Sequence, residues 1–447
     1  METILAALAG GGLALCWLLM AIYFWREKSV IGSFFLIVLA STDFRLSGRD
    51  PTEALAGAVD AQVLFELVAY AIVGVNCAWL LLSQRLDKTR LTLNELGLLL
   101  YASLAISSLL WSAVPLYSLV RSCQLAVLAL LAYTAVRVLS PKEAMKALGK
   151  AVVISVVLFA VLGVLFPHTE SDRFGWLSQT PGGAAVFLGL AVVFLASDAL
   201  DPAYQAQGRR LLVWLLSMFC FLVVMATQTR SVVAAVPIVL TVVLVVRYLS
   251  TRTVRLAATS VVTFAVLAIL AVALFPYGLA DVVESLARSN SAISQYVMRE
   301  QSTYEFTGLS GRIELWAVVW DLFLARPLFG YGYLASRSVL AEAVPWAGYA
   351  HNALGQSLLD FGLLGSTVLW FTMFRTLYLT RPTNTNKLDP EGSQVRITVL
   401  GVVLFLFGMG IFGASFAGEP SIFVLVAYLS ATTVEKVYGS GEIAFSG

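Results

Sequence analysis

Long apolar runs separated by short polar links make up most of the chain, and thirteen of them predict helices. Their limits are Ile4–Trp25, Val30–Asp43, Gln62–Leu82, Glu95–Ser112, Tyr117–Val136, Ala147–Phe166, Gly182–Ala199, Leu211–Ala226, Val232–Val246, Leu256–Phe275, Ala353–Phe374, Ile397–Phe416 and Ser421–Val434. Most are close to the ~20 residues that carry a helix across ~30 Å of hydrocarbon. They do not alternate with the period of two that a membrane barrel requires. The short second run brings the number to twelve if it is half-buried or re-entrant. No basic stretch precedes the first run and no small-residue cleavage site follows it, so it reads as a retained span.

Composition agrees with a membrane solvent. With 59% hydrophobic residues, 13% charged residues and a mean hydropathy of +0.85, the chain cannot be wrapped into a water-soluble globule. The expected fold is an all-α polytopic membrane protein of about 12–13 transmembrane helices, a single integral membrane domain over residues 1–447. One long outer loop, residues 276–350, is expected to contain interfacial helices and to act as a lid over the active site, with a polar stretch "ESLARSNSAISQYVMREQSTYEFTG". The opposite loops are too short for a soluble catalytic or ATP-binding domain.

Charge orients the helices. Arg26 and Lys28, Arg85, Lys88 and Arg90, Arg137 to Lys150, Arg209 and Arg210, Arg247 to Arg255, Arg375 to Arg396, and Lys436 fall on alternate connections, which marks that side as cytoplasmic. All seven lysines are among them. With thirteen crossings the N-terminus lies outside and the C-terminus inside. The outer face holds Arg45, Arg49, Arg121, Arg173, Arg230, Arg288, Arg299, Arg312, Arg326 and Arg337 and no lysine. A guanidinium binds phosphate oxygens through a planar two-pronged fork that an ammonium lacks. The structural alternative is that single arginines snorkel or pair with Asp43, Asp50 or Asp172.

Three arginines stand out. Arg230, in "ATQTRSVVAAV", lies between two apolar runs joined by almost no loop, where an ion needs an anionic partner. Arg173, in "HTESDRFGWLSQTPGG", has Glu170 and Asp172 beside it as structural partners and is a binding candidate in equal measure. Arg312 opens "SGRIELWAVVWDLFLARP", where Ile313, Trp316, Val319, Trp320 and Phe323 recur with a helical period suited to the membrane surface.

Only two histidines occur in 447 residues. His351, in "YAHNALGQSLLDFGLLGS", stands where polar sequence gives way to an apolar run. There a neutral imidazole can take a hydroxyl proton, and the positive end of the following helix keeps it neutral. The structural alternative is a histidine that caps this helix beside Asn352 or bonds a loop carbonyl. His168, in "LFPHTESD", reads as an interfacial loop residue.

These segments resemble the O-antigen ligase and polymerase superfamily of bacterial envelope glycosyltransferases. The resemblance is carried by "LSGRIELWAVVWDLFLARPLFGYGY" and "AHNALGQSLLDFGLLG", with Gly311, Arg312, Trp316, Pro327, Gly330, Gly332, His351, Asn352, Gly362 and Gly365. Upstream, "SSLLWSAVPLYSLVRS", with Trp111, Ser112, Pro115 and Arg121, and "TQTRS" match in order. The resemblance implies an inverting, metal-independent glycosyltransferase at the periplasmic face of the bacterial inner membrane. Its donor would be an undecaprenyl (polyprenyl) diphosphate-linked glycan and its acceptor a glycan or lipid A-core. It also implies that Arg230 and Arg312 hold the diphosphate, with Arg173 and Arg121 as further substrate-binding candidates, and that His351 serves the acceptor hydroxyl. Partners in polysaccharide export or chain-length control are implied too. Both an O-antigen or exopolysaccharide polymerase and an O-antigen ligase fit.

Other signals are weak. Cys16, Cys77, Cys123 and Cys220 lie in apolar runs without paired spacing and read as small buried hydrophobes. No metal-ligand cluster, nucleotide loop or cofactor motif is seen, and "PLFGYGY" reads as a chain-bending element. A net charge of +2 gives no ground for nucleic-acid binding. The competing class, a lipid-linked oligosaccharide flippase or other export transporter, predicts charges at the midplane of broken helices and repeat symmetry, and no repeat is visible. A membrane scaffold would leave the outer arginines and His351 without a purpose.

Overall fold

The structure, a computed structural model, describes residues 29–42, 60–83, 91–165, 173–175, 180–201, 209–248, 311–381 and 390–438, with scattered positions between 19 and 28. Most of Ile4–Trp25, all of Leu256–Phe275, the polar segment 276–310, Arg45, Arg49, Arg288, Arg299, His168 and Cys16 lie outside these residues. The described part is all-α, with no strand: α1 (Ser29–Ala40), α2 (Ala61–Ser83), α3 (Leu93–Ser107), α4 (Pro115–Val138), α5 (Pro141–Leu165), α6 (Pro181–Ala199), α7 (Arg210–Ala226), α8 (Arg230–Tyr248), α9 (Arg312–Ala325), α10 (Ser336–Ala343), α11 (Ala353–Leu379), α12 (Pro390–Phe412) and α13 (Ile422–Tyr438). Eight helices among the described residues are long and apolar enough to cross a membrane. The protein is a polytopic membrane protein.

Local chemistry sets the helix starts. Proline opens α4, α5, α6 and α12, where its fixed φ suits the first turn and its missing N–H costs nothing. Thr92 and Glu95 form a reciprocal capping box at α3, and the Thr180 hydroxyl accepts from the Gly183 amide at α6. Two helices are buried nearly all round, α6 and α13, and the others pack about them. Cys77 and Cys220 are buried as expected, whereas Cys123 is exposed on α4, because its face of the helix turns outward from the bundle.

One end of the bundle gathers the cations expected in the cytoplasm. Arg137 grips both oxygens of Glu95 at 2.5 and 3.0 Å, Arg375 meets Glu435 at 2.6 Å, and Lys146 meets Asp201 at 2.7 Å. Lys436 donates to the Val136 carbonyl, and Glu435 also accepts the Asn94 amide at 2.6 Å. The contacts of Arg137, Arg375, Lys436 and Asn94 clamp α3, α4, α11 and α13 together, and Lys146 ties α5 to the end of α6.

At the other end α11 is broken. Gly362, nine residues or about 13 Å into the helix, has φ 58° and ψ −153°, which only glycine adopts without strain. The break frees backbone groups that lipid cannot satisfy, at a cost of several kcal/mol each. The segment 327–332 supplies their partners. The Leu363 and Leu364 amides donate to the carbonyls of Pro327 (2.7 Å) and Leu328 (3.2 Å), while Tyr331 and Gly332 donate to Leu359 (2.8 Å) and Asp360 (2.9 Å). The chain-bending reading of "PLFGYGY" thus has a specific form. Gly330 and Gly332 take φ of 65° and 97°, and a Cβ at Gly330 would stand 2.4 Å from the Leu359 carbonyl oxygen. From α4's side, Trp111 Nε1 donates to the Phe329 carbonyl at 3.0 Å and the Ala113 amide to Tyr331 at 3.2 Å. Leu315, Val319, Phe323, Tyr331, Leu340, Ala347, Ala350 and Leu359 form a second small core. The described part of the expected lid is therefore a cap built into the broken helix.

Candidate active site

Helix α9 begins, as its period predicts, at Arg312, after Gly311 turns the chain with φ 80°. Leu315, Val319 and Phe323 face the cap's core, and Trp320 and Leu324 are exposed. Arg312 is half-buried, and burial lowers its tendency to hold a proton, opposed by Tyr349 nearby. As the first residue of a helix it also stands at the positive end of the dipole. A cation there is unfavourable by ~0.3–1 kcal/mol unless an anion joins it. Arg230 occupies the same position in α8.

The segment between α10 and α11 carries the aromatic side of the site. Tyr349 stacks on His351 with ring centroids 4.0 Å apart and planes inclined by 29°, and Trp346 lies 5.8 Å from the imidazole. His351 has φ 52°, in the left-handed region, and Asn352 rather than His351 caps α11 by accepting from the Gly355 amide. The Ala350 carbonyl accepts from Trp316 Nε1 of α9 at 3.2 Å, which ties the two halves of the site together. The imidazole pKa falls to about 4, first through burial and then through the charge of Arg312. With that pKa the ring is neutral at pH 7. Nδ1 is buried and has no hydrogen-bond partner among the described residues.

Arg173 sits under the turn that leads into α8. Its Nε donates to the Thr227 carbonyl at 2.8 Å and its Nη2 to the Thr229 hydroxyl at 3.1 Å, and Thr229 Oγ1 donates to the Pro181 carbonyl at 3.3 Å. The arginine thus fixes the turn from which Arg230 projects. The starts of α8 and α11 flank the same stretch of α12. A Cβ on Gly408 would lie 3.6 Å from Ala235, and one on Gly410 would lie 3.2 Å from Ala353.

Arg121 is engaged differently. Its Nη1 lies 2.5 Å from Glu66 and 3.0 Å from Gln124, and its guanidinium lies 5.5 Å from the Tyr117 ring centroid. Tyr117 accepts from Arg337 at 3.2 Å, and Arg337 also pairs with Glu419 and donates to the Gly348 carbonyl at 2.9 Å. Arg121 therefore reaches the His351 loop through Tyr117 and Arg337. Among the described residues no three His, Cys, Asp or Glu side chains converge as a metal site would.

Residues 215–370, about a third of the chain, match the O-antigen ligase family, and this stretch holds Arg230, Arg312, Tyr349, His351 and the broken helix. Over that stretch the chain is similar to the O-antigen ligase family. The match supports a glycosyltransferase-like activity. No curated protein matches the chain. Arg121 and Arg173 precede the matched stretch.

The sequence gives no role to Tyr349, Gln356 and Asp360, and places Arg337 only among the outer arginines. Tyr349 stands in the quoted motif two residues before His351, so spacing alone could have raised it. Gln356 and Asp360, four apart at the head of an apolar run, carried a signal in being polar and on one helix face.

Proposed function

We propose that the protein transfers a glycan from an undecaprenyl diphosphate carrier to an acceptor hydroxyl at the periplasmic face of the inner membrane, with inversion and without a metal. Arg230 and Arg312, each opening a helix at its positive end, hold the diphosphate, and Arg173 sets the turn that carries Arg230. His351 is the base. The acceptor oxygen attacks the anomeric carbon, and the bond from that carbon to the diphosphate breaks with its electron pair leaving on the carrier. The hydroxyl proton passes to the imidazole. One observation carries this reading: Arg312 and the half-buried, neutral His351 lie close enough for the charge of one to shift the protonation of the other.

A paired measurement on purified variants tests it. Arg312→Lys keeps the charge and loses the fork, so donor affinity falls. His351→Ala spares donor affinity and lowers transfer by about 10²–10⁴-fold. Transfer by His351→Ala at the wild-type rate would remove the base from the mechanism.

A second reading, a flippase for the lipid-linked glycan, draws on the break at Gly362 beside the buried Asp360, since broken helices with a charge mark transport sites. The freed backbone groups are plugged by residues 327–332 and do not line a path, which favours the enzyme. Polymerase and ligase share this chemistry. In a deletion strain, single repeat units indicate a lost polymerase, and long polymer left on the carrier indicates a lost ligase.

A further inference from the structure

We propose that Ser336, Gln356 and Asp360 form a buried hydrogen-bonded relay that positions the His351 imidazole for the acceptor, an inference that rests on the base role assigned above. All three side chains are fully buried. Asp360 accepts from the Ser336 hydroxyl at 2.6 Å and from Gln356 Nε2 at 3.0 Å, and the Leu334 backbone bonds it as well. Gln356 Nε2 also donates to Ser336 Oγ at 3.0 Å. The other end of the amide, Oε1, accepts from the Ala350 N–H at 3.0 Å. With Trp316 holding the Ala350 carbonyl, both polar groups of the residue before His351 are fixed. Arg337, next to Ser336, holds the Gly348 carbonyl of the same segment.

The chemistry explains the residue types. A left-handed backbone at a residue other than glycine costs of order 1–3 kcal/mol and persists only where its neighbours hold it. Fixing the Ala350 peptide does that for His351. A primary amide has two faces, and either could point at Ala350. Asp360 presents oxygens that accept from Ser336 and from Gln356 Nε2, so it draws the NH₂ face to itself and leaves the amide oxygen for the Ala350 N–H. An asparagine at 360 would offer a donor of its own, let Gln356 turn over, and set two donors against each other at Ala350. A carboxylate buried in a membrane helix is costly, so its presence calls for a task of this kind. The groups acting on the imidazole are Arg312 from α9 and the stacked Tyr349. Arg337 is the next cation beyond Tyr349.

The test uses the small number of histidines. Replacing His168 by Gln leaves His351 as the single imidazole signal, so ring-labelled protein in nanodiscs reports its titration by NMR directly. In that background Gln356→Leu frees the Ala350 peptide. The His351 midpoint then moves from about 4 toward 6.5, and kcat falls by about 10²-fold while the KM for donor stays within about twofold. Ser336→Ala removes one hydroxyl and gives a smaller shift of the same sign, and Ser336→Thr restores wild-type behaviour. Should Gln356→Leu not fold, the two serine variants decide the matter. An unmoved His351 midpoint in Gln356→Leu, or in Ser336→Ala, overturns the relay. A moved midpoint with unchanged transfer upholds the relay and removes the base role of His351.

Discussion

The phenol of Tyr349 lies flat against the imidazole of His351, ring centroids 4.0 Å apart, and covers the ring that Arg312 disfavours as a cation. Tyr349→Phe keeps the stack and is expected to keep the rate. Tyr349→Ala uncovers the ring, which lessens its burial and lets the pKa climb from about 4 toward 6.5. In the proposed mechanism the neutral ring is the active form, so the acid limb of kcat/KM climbs with it. The variant then loses activity on acidification in the window between those values and recovers at higher pH. A pH–rate profile compared with wild type checks this, and superimposable acid limbs would contradict it.

Gly362 and Leu328 set the geometry of the broken helix. A Cβ on Gly362 would stand 2.4 Å from the Leu328 carbonyl carbon, and φ of 58° strains any other residue. Gly362→Ala is expected to destabilise the protein by at least about 3 kcal/mol, seen as a lower Tm and poor recovery from the membrane. Gly408→Ala, whose Cβ meets only Ala235, at 3.6 Å, among the described residues, is the control and should leave Tm nearly unchanged. Equal behaviour of the two would mean that the 327–332 segment can be displaced.

Which parts of this arrangement the chain discloses depends on how far each feature reaches. The apolar runs are local, and so are the glycines of "PLFGYGY" and the scarcity of histidine, so the helices, the bend and His351 are legible. That residues 327–332 fill the break at Gly362 is not, because backbone pairing across thirty residues leaves no mark on side-chain type. Arg121 shows the same limit. Its sequence setting makes it a phosphate ligand as readily as a structural ion, and only the fold brings Glu66, inside an apolar run of α2, to 2.5 Å from it. The sequence offers only the dipole of α11 as a reason for a low pKa at His351, whereas in the fold burial and then Arg312 lower it.

Orientation can be read directly. Glu342 on α10 and Glu391 on α12 are both exposed, at opposite ends of the bundle. Single cysteines at these positions should differ toward a membrane-impermeant thiol reagent applied to spheroplasts. Glu342→Cys is expected to label and Glu391→Cys to remain protected. Labelling of Glu391→Cys alone would put the His351 end in the cytoplasm, away from the proposed donor face.

Arginines take the place of a divalent cation at the diphosphate in this mechanism. Purified protein washed with excess chelator should therefore transfer glycan at its full rate, and added Mg²⁺ or Mn²⁺ should change it little. Activity that disappears with chelator and returns with one metal would show that the charge on the leaving group is met by something other than Arg230 and Arg312.

Donor binding and protonation of His351 should be linked. In the free protein Arg312 holds the imidazole pKa down. A diphosphate esterified at both ends brings negative charge and has no proton of its own to gain near neutrality, so on binding it offsets Arg312 and raises the imidazole pKa. A base too weak in the free enzyme is thus strengthened only once the donor is in place, which protects the carrier from idle chemistry. The sign follows from linkage: the complex binds a proton more tightly than the free protein, so donor affinity rises as pH falls toward the free value of about 4. Donor affinity measured across this range should show that rise in wild type. It should be flat in His351→Ala, which has no imidazole, and should set in at higher pH in Arg312→Gln, whose imidazole already starts from a higher pKa. A wild-type affinity independent of pH would mean that the diphosphate binds away from His351, and the assignment of Arg312 as its holder would fall.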